Sequence, residues 1–69
     1  MLQGTLYIHW SIPGSPVWTL PFVSDSHERA HLLEALDTFK DVATHVIADV
    51  SIIDEDGTIR EPMTIEKRF

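Results

Sequence analysis

Residues 24–43 read SDSHERAHLLEALDTFKDVA, and they decide the fold because no other stretch carries the period of a helix. At about 100° per residue, Leu32, Leu36, Phe39 and Ala43 fall on one stripe flanked by Leu33 and Ala35, the pattern of a helix that buries one face. Asp25, with Glu28 three residues on, has the spacing of a capping box, and Ser24 is an alternative cap. Lys40 suits the negative end of the helix dipole, and the β-branched Thr44, Val46 and Ile47 then favour extended chain. The expected helix runs from Ser26 to Ala43.

On either side of this helix the period changes to two. From Leu2 to Ile12 the even positions are Leu2, Gly4, Leu6, Ile8, Trp10 and Ile12, the signature of a half-buried strand. Pro13-Gly14-Ser15-Pro16 is dense in turn formers, and Val17 to Val23 forms a second strand with Trp18, Leu20 and Phe22 on its apolar side. A three-residue loop over 13–15 would set Trp10 against Trp18, Ile8 against Leu20 and Leu6 against Phe22.

After the helix, residues 44–54 place Val46, Ala48, Val50 and Ile52 on one face and His45, Ile47, Asp49, Ser51 and Ile53 on the other. Asp56-Gly57 is a type I′ hairpin signal, which would pair Ile52 with Glu61, Val50 with Met63 and Ala48 with Ile65. The fourth strand is then expected from Thr58 to Lys67, with Ile59, Met63 and Ile65 inward.

Prolines 21 and 62 each remove a ladder donor, so strands two and four belong at the edges. With a right-handed crossover through the helix, the expected fold is α+β, a ββαββ chain whose four-stranded antiparallel sheet has the order 2-1-3-4 and carries one helix on one face. Trp10, Trp18, Phe22, Leu32, Leu36, Phe39, Val46 and Val50 are expected to share the core. The opposite face would stay open and show Tyr7, His9, Val17, Thr19, Val23, Ile47, Asp49, Ser51 and Ile53.

Sixty-nine residues suffice for one domain, 1–69, and for one core. There is no cysteine, hence no disulfide and no thiolate metal site. No signal-peptide pattern and no apolar run of membrane-spanning length is present, so the expected setting is cytoplasmic. Eleven acidic residues against five basic ones give a formal charge of −6. That balance opposes direct binding to nucleic acid or to anionic membranes, both of which depend on Lys and Arg, and suits a basic protein partner.

One motif names a chemistry. His27-Glu28-Arg29-Ala30-His31 resembles the H-E-x-x-H of the zincins, where two imidazoles one helical turn apart hold zinc and the glutamate activates water. Yet His27 and His31 project onto the side away from the apolar stripe, the chain is too short for a second subdomain to form a cleft, and no third ligand follows. Glu34 stands where the extended motif has glycine. The expectation is therefore no catalytic residue, no cofactor and no enzyme, with His27 and His31 the only metal-ligating candidates. The remote alternative is a metal-dependent hydrolase built on His27, Glu28 and His31. Asp54-Glu55-Asp56-Gly57 lacks the flanking ligands of an EF-hand loop and reads as a turn. His9, Asp49 and Ser51 could meet on the open face but have no oxyanion hole.

The reading that remains is a small acidic protein-interaction module for a larger, locally basic protein. In size, charge and single-helix build it resembles, in format only, inhibitors of host enzymes encoded by phages and mobile elements. Expected partner-binding residues are Glu34, Asp37 and Asp41 on the helix, Asp49, Asp54, Glu55 and Asp56 on the third strand and its turn, and Tyr7 and Ile47 on the open face. The alternative is an accessory subunit or dimerisation module, with a homodimer formed through that open face.

Overall fold

The computed structural model describes residues 1–26 and 28–69. Its elements are β1 (Leu2–Trp10), β2 (Trp18–Ser24), α1 (Arg29–Asp37), β3 (Ala43–Ile53) and β4 (Ile59–Arg68). The four strands form one antiparallel sheet in the order β2-β1-β3-β4, with the two proline-bearing strands at the edges. This is the ββαββ α+β fold that the periodicity and the prolines predict.

The core is the even-numbered face of the two central strands closed by the helix. Leu2, Leu6 and Ile8 of β1, Val46, Ala48 and Val50 of β3, Ile65 of β4 and Leu32 and Leu36 of α1 are all buried. Trp10, Phe22, Leu33, Phe39, Ile52 and Met63 pack around them and stay partly accessible.

The helix is shorter than its stripe suggests. Glu28, with extended ψ of 130°, is the cap itself, so the expected Asp25/Glu28 box does not form. Ser26 takes over: its Oγ accepts the Glu28 amide at 3.2 Å and lies 2.6 Å from His31 Nδ1. At the other end the amides of Thr38, Phe39 and Lys40 donate to carbonyls three residues back, and the Thr38 hydroxyl donates to the Ala35 carbonyl at 2.7 Å. Tightening of this kind closes a helix that has no glycine at its C-terminus. Lys40 and Asp41 lie beyond α1, and Ala43 belongs to β3, where it pairs with Trp10.

The β1–β2 connection also departs from expectation. Ile8 faces Trp18, Leu6 faces Leu20 and Gly4 faces Phe22, a shift of two residues that keeps every side chain on its intended face. Its cause is a turn over 12–15 in which the Ser15 amide donates to the Ile12 carbonyl at 3.2 Å and Gly14 has φ 81°, the type II pattern with proline leading. Meanwhile the Ser11 amide donates to the carbonyl of Val42, the residue before β3, at 2.9 Å. The loop therefore spans 11–17, and Ile12 and Val17 lie outside the strands.

In the second hairpin the three expected pairs are present: Ile52 with Glu61, Val50 with Met63 and Ala48 with Ile65. The turn is different. Among the described residues only glycines have positive φ, which excludes type I′ at Asp56. Instead Gly57, at φ 88°, follows a turn closed by its own amide on the Asp54 carbonyl, and the Asp54 amide donates to Thr58, each at 2.9 Å. Such a left-handed glycine goes with an extra residue in one strand. The register shifts between Ile52 and Ile53, so Ile59 pairs with Ile53. Ile53 is on the open face, and Ile59, expected inside, is turned outward and 66% exposed.

Candidate functional site

One helix cannot cover this sheet. Four strands at about 4.8 Å spacing span about 14 Å between the axes of the edge strands, whereas a helix with its side chains is about 10–12 Å across and leaves an edge uncovered. α1 lies nearest β4. Burial follows that placement: Leu2, Leu6 and Ile8 of β1, Val46, Ala48 and Val50 of β3 and Ile65 of β4 are buried, and Trp10, Ile52 and Met63 are half-buried. On β2, Trp18 is 53% exposed and Leu20 36%, although the alternation puts both on the inner face and the sequence assigns Trp18 to the core.

These two residues form the floor of a shelf beside α1. Trp10 is its inner wall, meeting Trp18 edge to face at 5.2 Å and Phe39 at 6.4 Å. The same end of the sheet adds Ile12 and Val17 from the loop and Val42, held next to that loop by the Ser11 bond, all exposed. Apolar side chains collected in this way differ from singly scattered ones, and tryptophan is enriched at the centres of protein interfaces. The alternation in the sequence gives the face of Trp18 and Leu20 but carries no signal that the helix leaves them uncovered.

The open face is banded rather than apolar. Its rows across the sheet run Val23, Gln3, Ser51, Pro62; then Pro21, Thr5, Asp49, Thr64; then Thr19, Tyr7, Ile47, Glu66. Tyr7 and Ile47 are neighbours and half-buried, while the exposed Val23 and Ile59 sit on opposite edge strands. His9 stacks on His45 with centroids 4.0 Å apart, two rows from Asp49 and three from Ser51, so the His9, Asp49 and Ser51 set is not brought together. Thr44 Oγ1 lies 2.9 Å from His45 Nδ1 and 3.3 Å from the His9 carbonyl, pinning one imidazole near the end of the central strand pair.

The acidic residues fall into separate groups. Glu34 and Asp37 are exposed on α1, Asp41 is exposed on the turn after it, and Asp49 stands alone on the open face. Asp54, Glu55 and Asp56 are exposed at the β3–β4 turn, where Arg60 approaches Asp54 at 3.5 Å. A pocket of about 520 Å³ beside that turn is lined in part by Asp25, Asp54, Glu55 and Arg60. Asp56 Oδ1 accepts the Thr58 amide at 2.9 Å, and this bond holds its carboxyl below the usual carboxylate range.

Of the H-E-x-x-H motif, His27 lies outside the described residues. Glu28 is the extended residue before the helix, so motif and helix do not coincide. Both nitrogens of His31 face local partners: Nδ1 is 2.6 Å from Ser26 Oγ, and Nε2 is 3.9 Å from Glu28. The described part of the motif thus fastens the first turn of the helix. Among the described residues no group of three or more His, Cys, Asp or Glu is placed to hold a metal ion, and no helix is long and apolar enough to cross a membrane. No protein-family model matches the chain, and neither a curated protein nor a solved structure matches it.

Proposed function

We propose that this chain is a protein-interaction module that docks on a larger, locally basic protein through the shelf over β2. The observation that carries the reading is the exposure of Trp18 and Leu20 on the inner face of a sheet whose other inward residues are largely covered. Leaving an indole and a leucine in water forgoes about 25 cal/mol for each Å² of apolar surface, a loss that association recovers. The net charge of −6 sets the sign of the partner, and Glu34 and Asp37 are exposed acidic positions on α1. By occupying a basic surface, such a module would act as an inhibitor or as an accessory subunit, depending on which protein owns that surface.

The test is comparative affinity capture with the intact chain, a Trp18→Ser/Leu20→Ser variant and a Val23→Ser variant altered on the opposite face. A partner retained by the intact chain and by Val23→Ser, and lost with the shelf variant, is the expected result. Retention that ignores Trp18 and Leu20 would move the interface elsewhere.

A further inference from the structure

The shape of the vacancy specifies what fills it. We infer that the shelf takes an amphipathic, basic helix supplied by the partner, laid beside α1 so that two helices cover the four strands. This rests on the reading of the shelf as an interface and goes on to name the partner's element and its chemistry.

Three observations select a helix from outside the chain. First, the uncovered apolar surface is the inner face of the edge strand β2, in the same layer that α1 occupies over the other strands, so an occupant that completes that layer is a helix. Second, addition of a strand is opposed at both ends of the sheet. Pro21 is the central residue of β2 and Pro62 lies within β4, and a proline in an edge strand interrupts the row of donors that an added strand would use. The shelf must therefore be filled over its face and not along its edge.

Third, a second copy of this chain is a poor occupant. Its one described helix already spends Leu32 and Leu36 on its own core and turns Arg29, Ala30, Glu34 and Asp37 outward. Laying that polar side on Trp18 and Leu20 would bury carboxylates against apolar surface, and two copies each of charge −6 repel. A helix with leucine-like residues on one side and Lys or Arg on the other meets both conditions. Its apolar stripe covers Trp18 and Leu20, and its cations meet the net charge of −6, to which the exposed Glu34 and Asp37 contribute. This is helix-in-groove recognition with the sheet as the floor.

The probe is a synthetic Leu/Lys peptide with leucine at i, i+3, i+4 and i+7, compared with a peptide of the same composition in which Leu and Lys alternate as in a strand. In a Trp10→Phe background, Trp18 is the sole tryptophan and reports on the shelf directly. The helical peptide is expected to shift Trp18 emission to the blue, gain helicity by circular dichroism, and lose at least tenfold in affinity with Leu20→Ser, while Val23→Ser leaves binding unchanged. Near-ultraviolet dichroism of each variant checks that the fold is intact, and Trp18→Ser in the native background, read by the helicity gain, serves as a second shelf variant. Equal or tighter binding of the alternating peptide would overturn the helical occupant while keeping the shelf as an interface. Self-association that depends on Trp18, seen by sedimentation without binding of either peptide, would replace the partner helix with a second copy. Binding of the helical peptide that ignores both shelf variants, or no binding and no self-association, would overturn the inference; only the Trp18-independent capture described above bears on the interaction reading itself.

Discussion

Trp10 and Trp18 meet edge to face, with ring centroids 5.2 Å apart and planes at 87°, although the register sets Trp18 opposite Ile8. The contact is diagonal, and it joins a ring that packs on the core to one that faces solvent. The Trp10 indole N–H pays for that position, because its nitrogen is buried without a hydrogen-bond partner. An orphaned buried donor costs about 1–3 kcal/mol, and removing it without losing the ring can be neutral or better. Trp10→Phe is therefore expected to change unfolding stability by less than about 1 kcal/mol, whereas Trp10→Ala, which removes the aromatic wall, is expected to cost about 2–4 kcal/mol. Urea denaturation of the two variants measures both. A Trp10→Phe loss as large as that of Trp10→Ala would show that the N–H is satisfied.

Two glycines should respond to alanine for different reasons. A Cβ on Gly4 would overlap the Asp49 carbonyl oxygen and stand 2.6 Å from Val50 Cα, backbone atoms of a central strand with no freedom to move aside. A Cβ on Gly57 meets nothing within 4 Å, and only its φ of 88° resists the change. Gly57→Ala is expected to cost about 1 kcal/mol for the left-handed backbone. Gly4→Ala must force β1 and β3 apart, and should cost more than Gly57→Ala and lower the melting temperature further. The reverse order in a thermal scan would mean that the strands separate easily at Gly4.

Much of this architecture could be read in the residues, and the errors have identifiable causes. Strand order followed from Pro21 and Pro62, which only edges tolerate, and the pairing of Val50 with Met63 from a polar turn and an apolar alternation that agree. Ile59 was misplaced because one left-handed glycine adds a residue to the hairpin, and a shift of one reverses the face. The type II turn over 12–15 moved β2 by two positions, which alters its partners but not its face. For the site, alternation gives the face of Trp18 correctly and says nothing about whether anything lies above it. That depends on the width of α1 relative to the sheet, a property of the assembled layers that no local pattern encodes. The acidic positions were legible as exposed charge, but sequence distance did not reveal that Asp49 stands apart from the turn.

The β3–β4 turn carries a small pH dependence of known sign. Asp56 accepts the Thr58 amide, which lowers its folded-state pKa below the ordinary 3.8. A depressed carboxylate pKa contributes stability above its unfolded value, and that contribution is lost as pH falls through the folded one. Asp56→Asn keeps an oxygen to accept the same amide but has no charge to titrate. The stability difference between the intact chain and Asp56→Asn is accordingly expected to shrink as the pH is lowered through and below 3.8, and to be flat near neutrality. A difference that grows on acidification would contradict the assignment. The carboxyl carbon shift of Asp56, followed by NMR through the same range, gives the folded value directly.

Charge and anchor should separate in the kinetics of docking. Exposed charges around an interface act mainly on the association rate, whereas desolvated aromatic and aliphatic anchors govern dissociation. Glu34 and Asp37 are exposed on α1, and Trp18 and Leu20 form the apolar floor. For the Leu/Lys helical peptide, a Glu34→Lys/Asp37→Lys variant is expected to slow association severalfold and leave dissociation nearly unchanged. Both residues lie outside the core, so the domain should keep its melting temperature within a few degrees. Raising salt, so that the Debye length falls from about 10 Å to about 3 Å, should reproduce the slower association in the intact chain and have little further effect on the variant. Leu20→Ser should do the opposite, raising the dissociation rate with association and salt response preserved. Stopped-flow fluorescence on Trp18 in the Trp10→Phe background resolves the two rates. Association that is indifferent to both salt and charge reversal would assign the selectivity of the shelf to shape alone and remove the argument for a basic partner.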